Sequence, residues 1–318
     1  MSYLLKFLDY VYLTRPILFF PGWTTLIAGY FCAAGESRSG FPVPGNVIPV
    51  FWNASLVLAM IALGCAMGGG AVLNQLKDID SDRRNRKLFL LGDGFVPVRR
   101  GYILSVFLIG ASLLLAIPLG WEIVAVVISG ILIAGYVYNF PPFNLKNYPL
   151  GGLWANMAMG WLVFVVGWLL VAPFNVRMLA SSLPYLLYNT GLYLLTTLPD
   201  MAGDAAAKKI TLPVRYGFRN TLRLSGVAFI LALAVSALQG EGFLFLVILA
   251  AAPFFIRALV RETVPAIIIG VKMGIFFFSI GICVKFPPFL GMIALAYFVT
   301  RMYYQKRFGI KYPSFKGD

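Results

Sequence analysis

Asn74, Asp78 and Asp82 stand at intervals of four at the end of a long apolar run. On a helix each interval advances about 400°, so the three side chains drift by only about 80° and share one face. That face offers oxygen acceptors and concentrated negative charge. Its natural partner is a hard cation such as Mg²⁺, which often bridges protein carboxylates to substrate phosphates. Asp80 points off this face and reads equally well as a further ligand or as a solvated residue. Asp200 and Asp204 repeat the interval of four at the end of a later apolar run. A single such cluster is as easily a solvated loop end, but two of the same spacing point to one shared site. Basic residues follow both: Arg83, Arg84, Arg86 and Lys87 after the first, Lys208, Lys209 and Arg215 after the second. Facing each other across a helical bundle, the clusters would hold two or more Mg²⁺ ions and the oxygens of a diphosphate. An apolar interior beside them suits a diphosphate carried on a long hydrocarbon tail.

The rest of the chain supplies that interior. It has 318 residues, of which 60% are hydrophobic and only 12% charged, with a mean hydropathy of +0.85. A soluble domain carries roughly twice that charge, so the chain is expected to be one integral membrane unit, all-α. The formal net charge of +14 raises the question of nucleic acid. Basic residues that collect in the loops on one side of a membrane explain it better, and no nucleic-acid partner is expected. Histidine is absent, which excludes histidine proton relays, histidine-bearing triads and most zinc sites. Cys32, Cys65 and Cys283 show no paired spacing. The first apolar run is long enough to remain as a span rather than to be cleaved as a leader.

Ten apolar spans are expected, near 16–34, 47–76, 101–119, 121–138, 152–171, 178–198, 222–238, 242–260, 264–284 and 287–304. The charge bias favours ten spans over nine, because an odd number would place the basic tail outside. They form a first half-bundle of about 10–140 and a second of about 150–304, with a basic tail over 305–318. With the N-terminus inside, every Lys and Arg except Arg38, Arg177, Lys272 and Lys285 falls in an inside segment, out of 26 in all. This bias orients the chain and places both acidic loops on the cytoplasmic side, capping a central apolar cavity. The expected location is the cell membrane of a bacterium or archaeon.

These motifs resemble the UbiA superfamily of intramembrane prenyltransferases. Asn74, Asp78 and Asp82 match its first motif, and Asp200 with Asp204 match its second. The segment Gly203, Asp204, Lys209, Thr211, Leu212, Pro213, Val214, Arg215 and Gly217 resembles the family's continuation of the second motif. Tyr138, Pro141, Pro142 and Lys146 resemble its Pro-Pro loop, and Arg15-Pro16 its lead into the first helix. Within the family the match is most similar to the homogentisate and chlorophyll branch. Departures occur after the first motif, where the usual basic stretch reads Arg86-Lys87-Leu88-Phe89, and at Thr196, Thr197 and Lys208 around the second.

The resemblance implies a prenyltransferase in which Asn74, Asp78, Asp82, Asp200 and Asp204 hold Mg²⁺ bridged to an isoprenyl diphosphate. Lys146, Lys209 and Arg215 are expected to contact phosphate, with Arg83 and Lys87 as further contacts and Arg15 and Tyr138 carried over from the family pattern. Tyr193 and Asn189, one turn apart on the sixth span, would orient an aromatic or lipid acceptor, although a hydrogen bond within the bundle explains them as well. A terpene cyclase without an acceptor, or a non-catalytic isoprenoid-binding membrane protein, could carry the same motifs. A transporter would place its charges at mid-membrane, and only Lys272 stands there.

Overall fold

The computed structural model describes residues 3–35, 50, 52–79 and 89–313. Asp80, Asp82, Arg83, Arg84, Arg86 and Lys87 lie outside the described residues, so the expectations placed on them are not addressed by the fold. Among the described residues the regular elements are all helical. A short helix α1 (Tyr3–Leu13) leads through a 3₁₀ turn (Pro16–Leu18) into α2 (Phe19–Ala34). α3 (Ala54–Lys77) ends in the first acidic motif; the short α4 (Phe89–Gly92) and then α5 (Val98–Ala116) follow. α6 (Trp121–Ile131) continues as a π-helical segment over Leu132–Val137. The second half holds α7 (Pro149–Leu169), α8 (Val176–Thr197), the short α9 (Met201–Ala206) and α10 (Leu212–Tyr216), then α11 (Phe218–Gln239), α12 (Gly242–Arg261), α13 (Val264–Lys285) and α14 (Pro288–Phe308).

Local chemistry sets several of these boundaries. Asn53 caps α3 by accepting from the Leu56 N–H at 2.8 Å, and Asn175 caps α8 through the Met178 N–H at 2.9 Å. Each side chain satisfies a backbone donor that the first helical turn leaves open. Gly240, at φ +67°, takes the left-handed conformation that ends α11 and turns the chain into α12.

Seven helical segments among the described residues are long and apolar enough to cross a membrane, and the chain is a multi-pass membrane protein. Ten apolar stretches were expected, and a helix forms at each. Three fall outside the seven for physical reasons. The fourth, Trp121–Val137, is short. The sixth, α8, carries Arg177, Asn189 and several hydroxyl side chains, and α14 ends in Arg301, Lys306 and Arg307.

Packing is closest between α2 and α7, between α3 and α5, between α8 and α11, and between α12 and α13. α2 and α7 approach through reciprocal glycines: Gly29 faces the Phe164 carbonyl and Gly167 the Leu26 carbonyl, where no Cβ would fit. This crossing joins the first half of the chain to the second and fixes the helices on which the polar groups below are mounted. An apolar cavity of about 90 Å³ lies between α3, α5, α6 and α7, lined by residues such as Met67, Gly70, Ile131 and Leu162.

Candidate active site

Asp78 closes α3, its N–H donating to the Asn74 carbonyl at 3.0 Å. Gln75 anchors this helix end by donating from Nε2 to the Leu13 carbonyl at 2.8 Å. Across from it, the π-helical segment of α6 delivers the chain into the 139–148 loop. Asn139 donates back to the Ala134 carbonyl at 2.8 Å, and Asn144 turns the loop through a left-handed φ of 43°. The Lys146 N–H then donates to the Tyr138 carbonyl at 3.2 Å. This turn aims Lys146 at α3, where its Nζ donates to both carboxylate oxygens of Asp78, at 2.8 and 2.9 Å. The pair is largely shielded, with side-chain exposures of 10% for Lys146 and 17% for Asp78. Burial pushes the Lys146 ammonium below the usual lysine range; Asp78 pulls it back up, while Lys209 and Lys77 repel its charge.

The second motif lies on the short α9. The Asp204 N–H donates to the Asp200 carbonyl at 2.9 Å, which sets the two carboxylates one turn apart. Lys208 then adopts a left-handed φ of 57°, and the Lys209 N–H returns to the Asp204 carbonyl at 2.9 Å. This reversal brings Lys209 within electrostatic reach of Lys146. Tyr138 lies between the two motifs, within electrostatic reach of both Asp78 and Asp204. Tyr193, on α8, is within reach of Tyr138 and Asp204. Asn156, on α7, interacts with the hydroxyls of both tyrosines while its Nδ2 donates to the Gly152 carbonyl at 2.9 Å.

Asp78, Lys146, Tyr138, Tyr193, Asp204 and Lys209 therefore form one neighbourhood, built from α3, the 139–148 loop, α8 and the turn after α9. The structure does not bring all the expected residues to it. Asn189 faces inward but donates to Thr25 Oγ1 at 3.3 Å, a bond between helices α8 and α2. Arg215 is exposed at the end of α10, and its side chain makes no hydrogen bond or ion pair among the described residues. Arg15 lines a separate cavity with Tyr12, Gln75 and Tyr304.

Asn156 was not anticipated, although a lone carboxamide in an apolar span is a visible signal. Thr211 was quoted only as part of the second-motif continuation; its Oγ1 is buried without a hydrogen-bond partner just before α10. Lys77, stacked over the Phe140 ring with its Nζ 5.5 Å from the centroid, contributes further positive charge.

No three His, Cys, Asp or Glu side chains cluster among the described residues. The oxygen donors present nevertheless fit a hard cation. Asn74 Oδ1 is buried without a hydrogen-bond partner, one turn before Asp78, whose carboxylate already holds the cationic Lys146. A carboxamide oxygen and carboxylates are the donors Mg²⁺ prefers.

The sequence profile of the UbiA prenyltransferase family matches residues 22–264. The chain belongs to the UbiA prenyltransferase family. A homogentisate phytyltransferase from Synechocystis is 31% identical over 183 residues, which cover 54% of this chain and 58% of that protein. A digeranylgeranylglyceryl phosphate synthase from Methanothrix thermoacetophila is 27% identical over 213 residues, 66% of this chain and 76% of that one. The chain spans about half the length of plant relatives such as the hop 2-acyl-4-prenylphloroglucinol 6-prenyltransferase, 50% of which is covered. The fold is that of a UbiA homolog from Archaeoglobus fulgidus solved with GPP and Mg²⁺: the TM-score is 0.61 at 19% identity, covering 87% of this chain and 99% of that one. A UbiA homolog from Aeropyrum pernix superimposes with a TM-score of 0.64 at 17% identity, over 83% and 97% of the two chains.

Proposed function

We propose that this UbiA-family chain transfers an isoprenyl group from an isoprenyl diphosphate to an aromatic or lipid acceptor, in the presence of Mg²⁺. The observation that carries this reading is the convergence of both acidic motifs on Tyr138, with Lys146 seated on Asp78. Asn74, Asp78, Asp200 and Asp204, with Asp82, are the residues that would hold two or more Mg²⁺ ions. A cation held there would supply charge neutralisation for the leaving diphosphate.

The chain's own cations do the remaining electrostatic work. Lys146 and Lys209 are close enough to repel each other, and an anionic diphosphate between them relieves that repulsion. Loading the site requires Lys146 to exchange one Asp78 contact for phosphate oxygen, a short motion for a flexible side chain. Arg215, Arg83 and Lys87 would add positive charge from neighbouring loops. Bond cleavage gives an allylic carbocation and free diphosphate. The acceptor supplies the electron pair for the new bond and then loses a proton. The apolar walls between α3, α5, α6 and α7 keep water from the cation.

Tyr138 and Tyr193, with Asn156 near both hydroxyls, are proposed to orient the acceptor. The family relatives support both acceptor classes, since one is named for homogentisate and another for a glyceryl phosphate. Both acidic motifs are proposed to face the cytoplasm.

Membranes containing the chain, supplied with radiolabelled geranyl or geranylgeranyl diphosphate and candidate acceptors, should form prenylated product that is lost on adding EDTA. Asp78→Ala and Asp200→Ala should each lower product formation by about 100-fold or more, as expected for loss of transition-state charge stabilisation. Full activity in either variant would overturn the metal assignment, and a cyclic hydrocarbon formed without acceptor would overturn the transfer reaction.

A further inference from the structure

Two adjoining cavities run along one face of α14, apart from Lys146 and Asp78. The first, of about 340 Å³, is lined by Arg15, Gln75 and the rings of Tyr12, Tyr304 and Tyr312. The second, of about 390 Å³, is an apolar trough between α2, α13 and α14, with Phe20, Ile275, Ile280 and Ile293 among its walls and Lys272 at one side. Ile17, Leu18 and Tyr312 border both, so the two form one groove. Its α14 wall is made by Ile293, Ala296, Tyr297, Thr300 and Tyr304, positions three and four apart on one helical face. The groove is thus polar and cationic at one end and apolar along its length, and each part is large enough for a sizeable ligand fragment.

The polar end is built around an unusual backbone. Arg15 sits at φ 58° and ψ 57°, left-handed values that a residue with a Cβ rarely adopts. Its N–H donates to the Tyr12 carbonyl at 3.1 Å, and its own carbonyl accepts from the Leu18 N–H at 2.9 Å. This holds the side chain at the corner between α1 and α2. The guanidinium acts electrostatically on Tyr304 and Tyr312. No carboxylate pairs with it among the described residues. α1 exposes Tyr3, Leu4 and Phe7, as suits a helix lying at the level of lipid headgroups. The outer side of α14 exposes Leu290, Leu295 and Phe298, as suits a helix bathed by acyl chains.

We propose that this groove binds an anionic membrane phospholipid, its phosphate on the Arg15 fork and an acyl chain along the α13–α14 trough. A planar guanidinium with no counter-charge among the described residues matches phosphate oxygens, and the chain's net charge of +14 favours an anionic over a zwitterionic head. None of Asn74, Asp78 and Lys146 lines the groove, although Gln75 of the same helix borders its polar end, and the proposal does not depend on the assignment of the diphosphate site.

Native mass spectrometry of the full chain in detergent, titrated with dioleoyl phosphatidylglycerol or dioleoyl phosphatidylcholine, tests it. Phosphatidylglycerol should be retained in preference to phosphatidylcholine. Arg15→Gln should lower its retention by about fivefold, in line with loss of a charge-assisted contact. Ala296→Trp, which fills the trough and leaves Arg15 untouched, should lower it as well, so the outcome does not hang on one variant folding. Asp78→Asn should leave retention unchanged. Equal retention of both lipids, or undiminished binding in the two groove variants, would overturn the proposal. So would displacement of the lipid by geranyl diphosphate, which would make the groove part of the diphosphate site, or by glycerol 1-phosphate, which would make it a simple anion site.

Discussion

At the residue scale the site rests on small polar groups in apolar surroundings. Asn156 is the clearest example, because one carboxamide lies within electrostatic reach of the hydroxyls of Tyr138 and Tyr193 and donates to the Gly152 carbonyl of its own helix. Replacing it with Leu keeps the volume and removes its polar influence on both tyrosines at once. Asn156→Leu should lower kcat/KM by about 10-fold, the size expected when a buried hydrogen bond that orients reacting groups is lost. The effect should appear mainly in the KM for the acceptor, with that for the prenyl diphosphate little changed; an unchanged acceptor KM would remove the tyrosine pair from the acceptor site. Lys146→Met should behave in the opposite way, weakening the diphosphate and leaving the acceptor. The carboxylates and Lys146 were legible in the sequence because charge is conspicuous in a chain of this composition. Asn156 stood out only as a lone carboxamide with no spacing to give it a partner, and Thr211 only as part of the family motif, with nothing in the sequence to show that its hydroxyl is buried unpaired. Nor did the sequence reveal that Lys146 and Asp78 touch, because that contact depends on the left-handed turn at Asn144. Arg15 was drawn toward the site by the family pattern; the fold sets it against Tyr12, Gln75 and Tyr304, in a cavity that neither Asp78 nor Lys146 lines.

At the element scale, helix positions were read well because the apolar runs alternate with loops rich in Gly, Pro and charge. The expected 101–119, 242–260 and 264–284 correspond to Val98–Ala116, Gly242–Arg261 and Val264–Lys285. What the runs do not encode is which helices touch. The close crossing of α2 on α7 comes from two glycines that look like many others in the sequence. A methyl group at Gly167 would meet the Leu26 carbonyl and one at Gly29 the Phe164 carbonyl, and neither backbone can yield cheaply. Gly29→Ala and Gly167→Ala should each destabilise the protein by about 2–4 kcal/mol, as overpacking against main chain does. Gly70 is the control: a methyl there meets nothing within 4 Å, and Gly70→Ala should be neutral or stabilising by up to about 1 kcal/mol. Thermal unfolding in detergent, followed by circular dichroism, should rank the three in that order. Equal behaviour of Gly167→Ala and Gly70→Ala would mean that the crossing is looser than its geometry.

At the scale of the whole molecule the two ends of the chain close on each other beside the first acidic motif. Asp9 of α1 is 2% exposed. It accepts from Tyr303 at 2.7 Å and from both Nε and Nη2 of Arg307 at 3.0 Å. Tyr12 stacks on Tyr303 at 4.0 Å between ring centroids and donates to Thr300 at 3.2 Å. The same cluster takes in Val72 and Leu76 from the end of α3 and Leu90, Leu91 and Val96 from the segment after α4 begins. α14 thus does more than add a helix at the edge: its end helps hold the helix that carries Asn74 and Asp78. A buried pair broken on one side leaves an uncompensated charge and costs about 3–5 kcal/mol. Asp9→Asn and Arg307→Met should each lose about that much. The double variant Asp9→Asn/Arg307→Met should lose clearly less than the sum, because neither charge is then stranded. Unfolding measured on the four proteins of this cycle gives the coupling directly. Additive losses would show that the ends are held by the stacked rings instead, and the same variants assayed for Mg²⁺ dependence would show whether closing the ends sets the geometry at Asp78. A weakened closure should raise the Mg²⁺ concentration needed for half activity while leaving the acceptor KM alone.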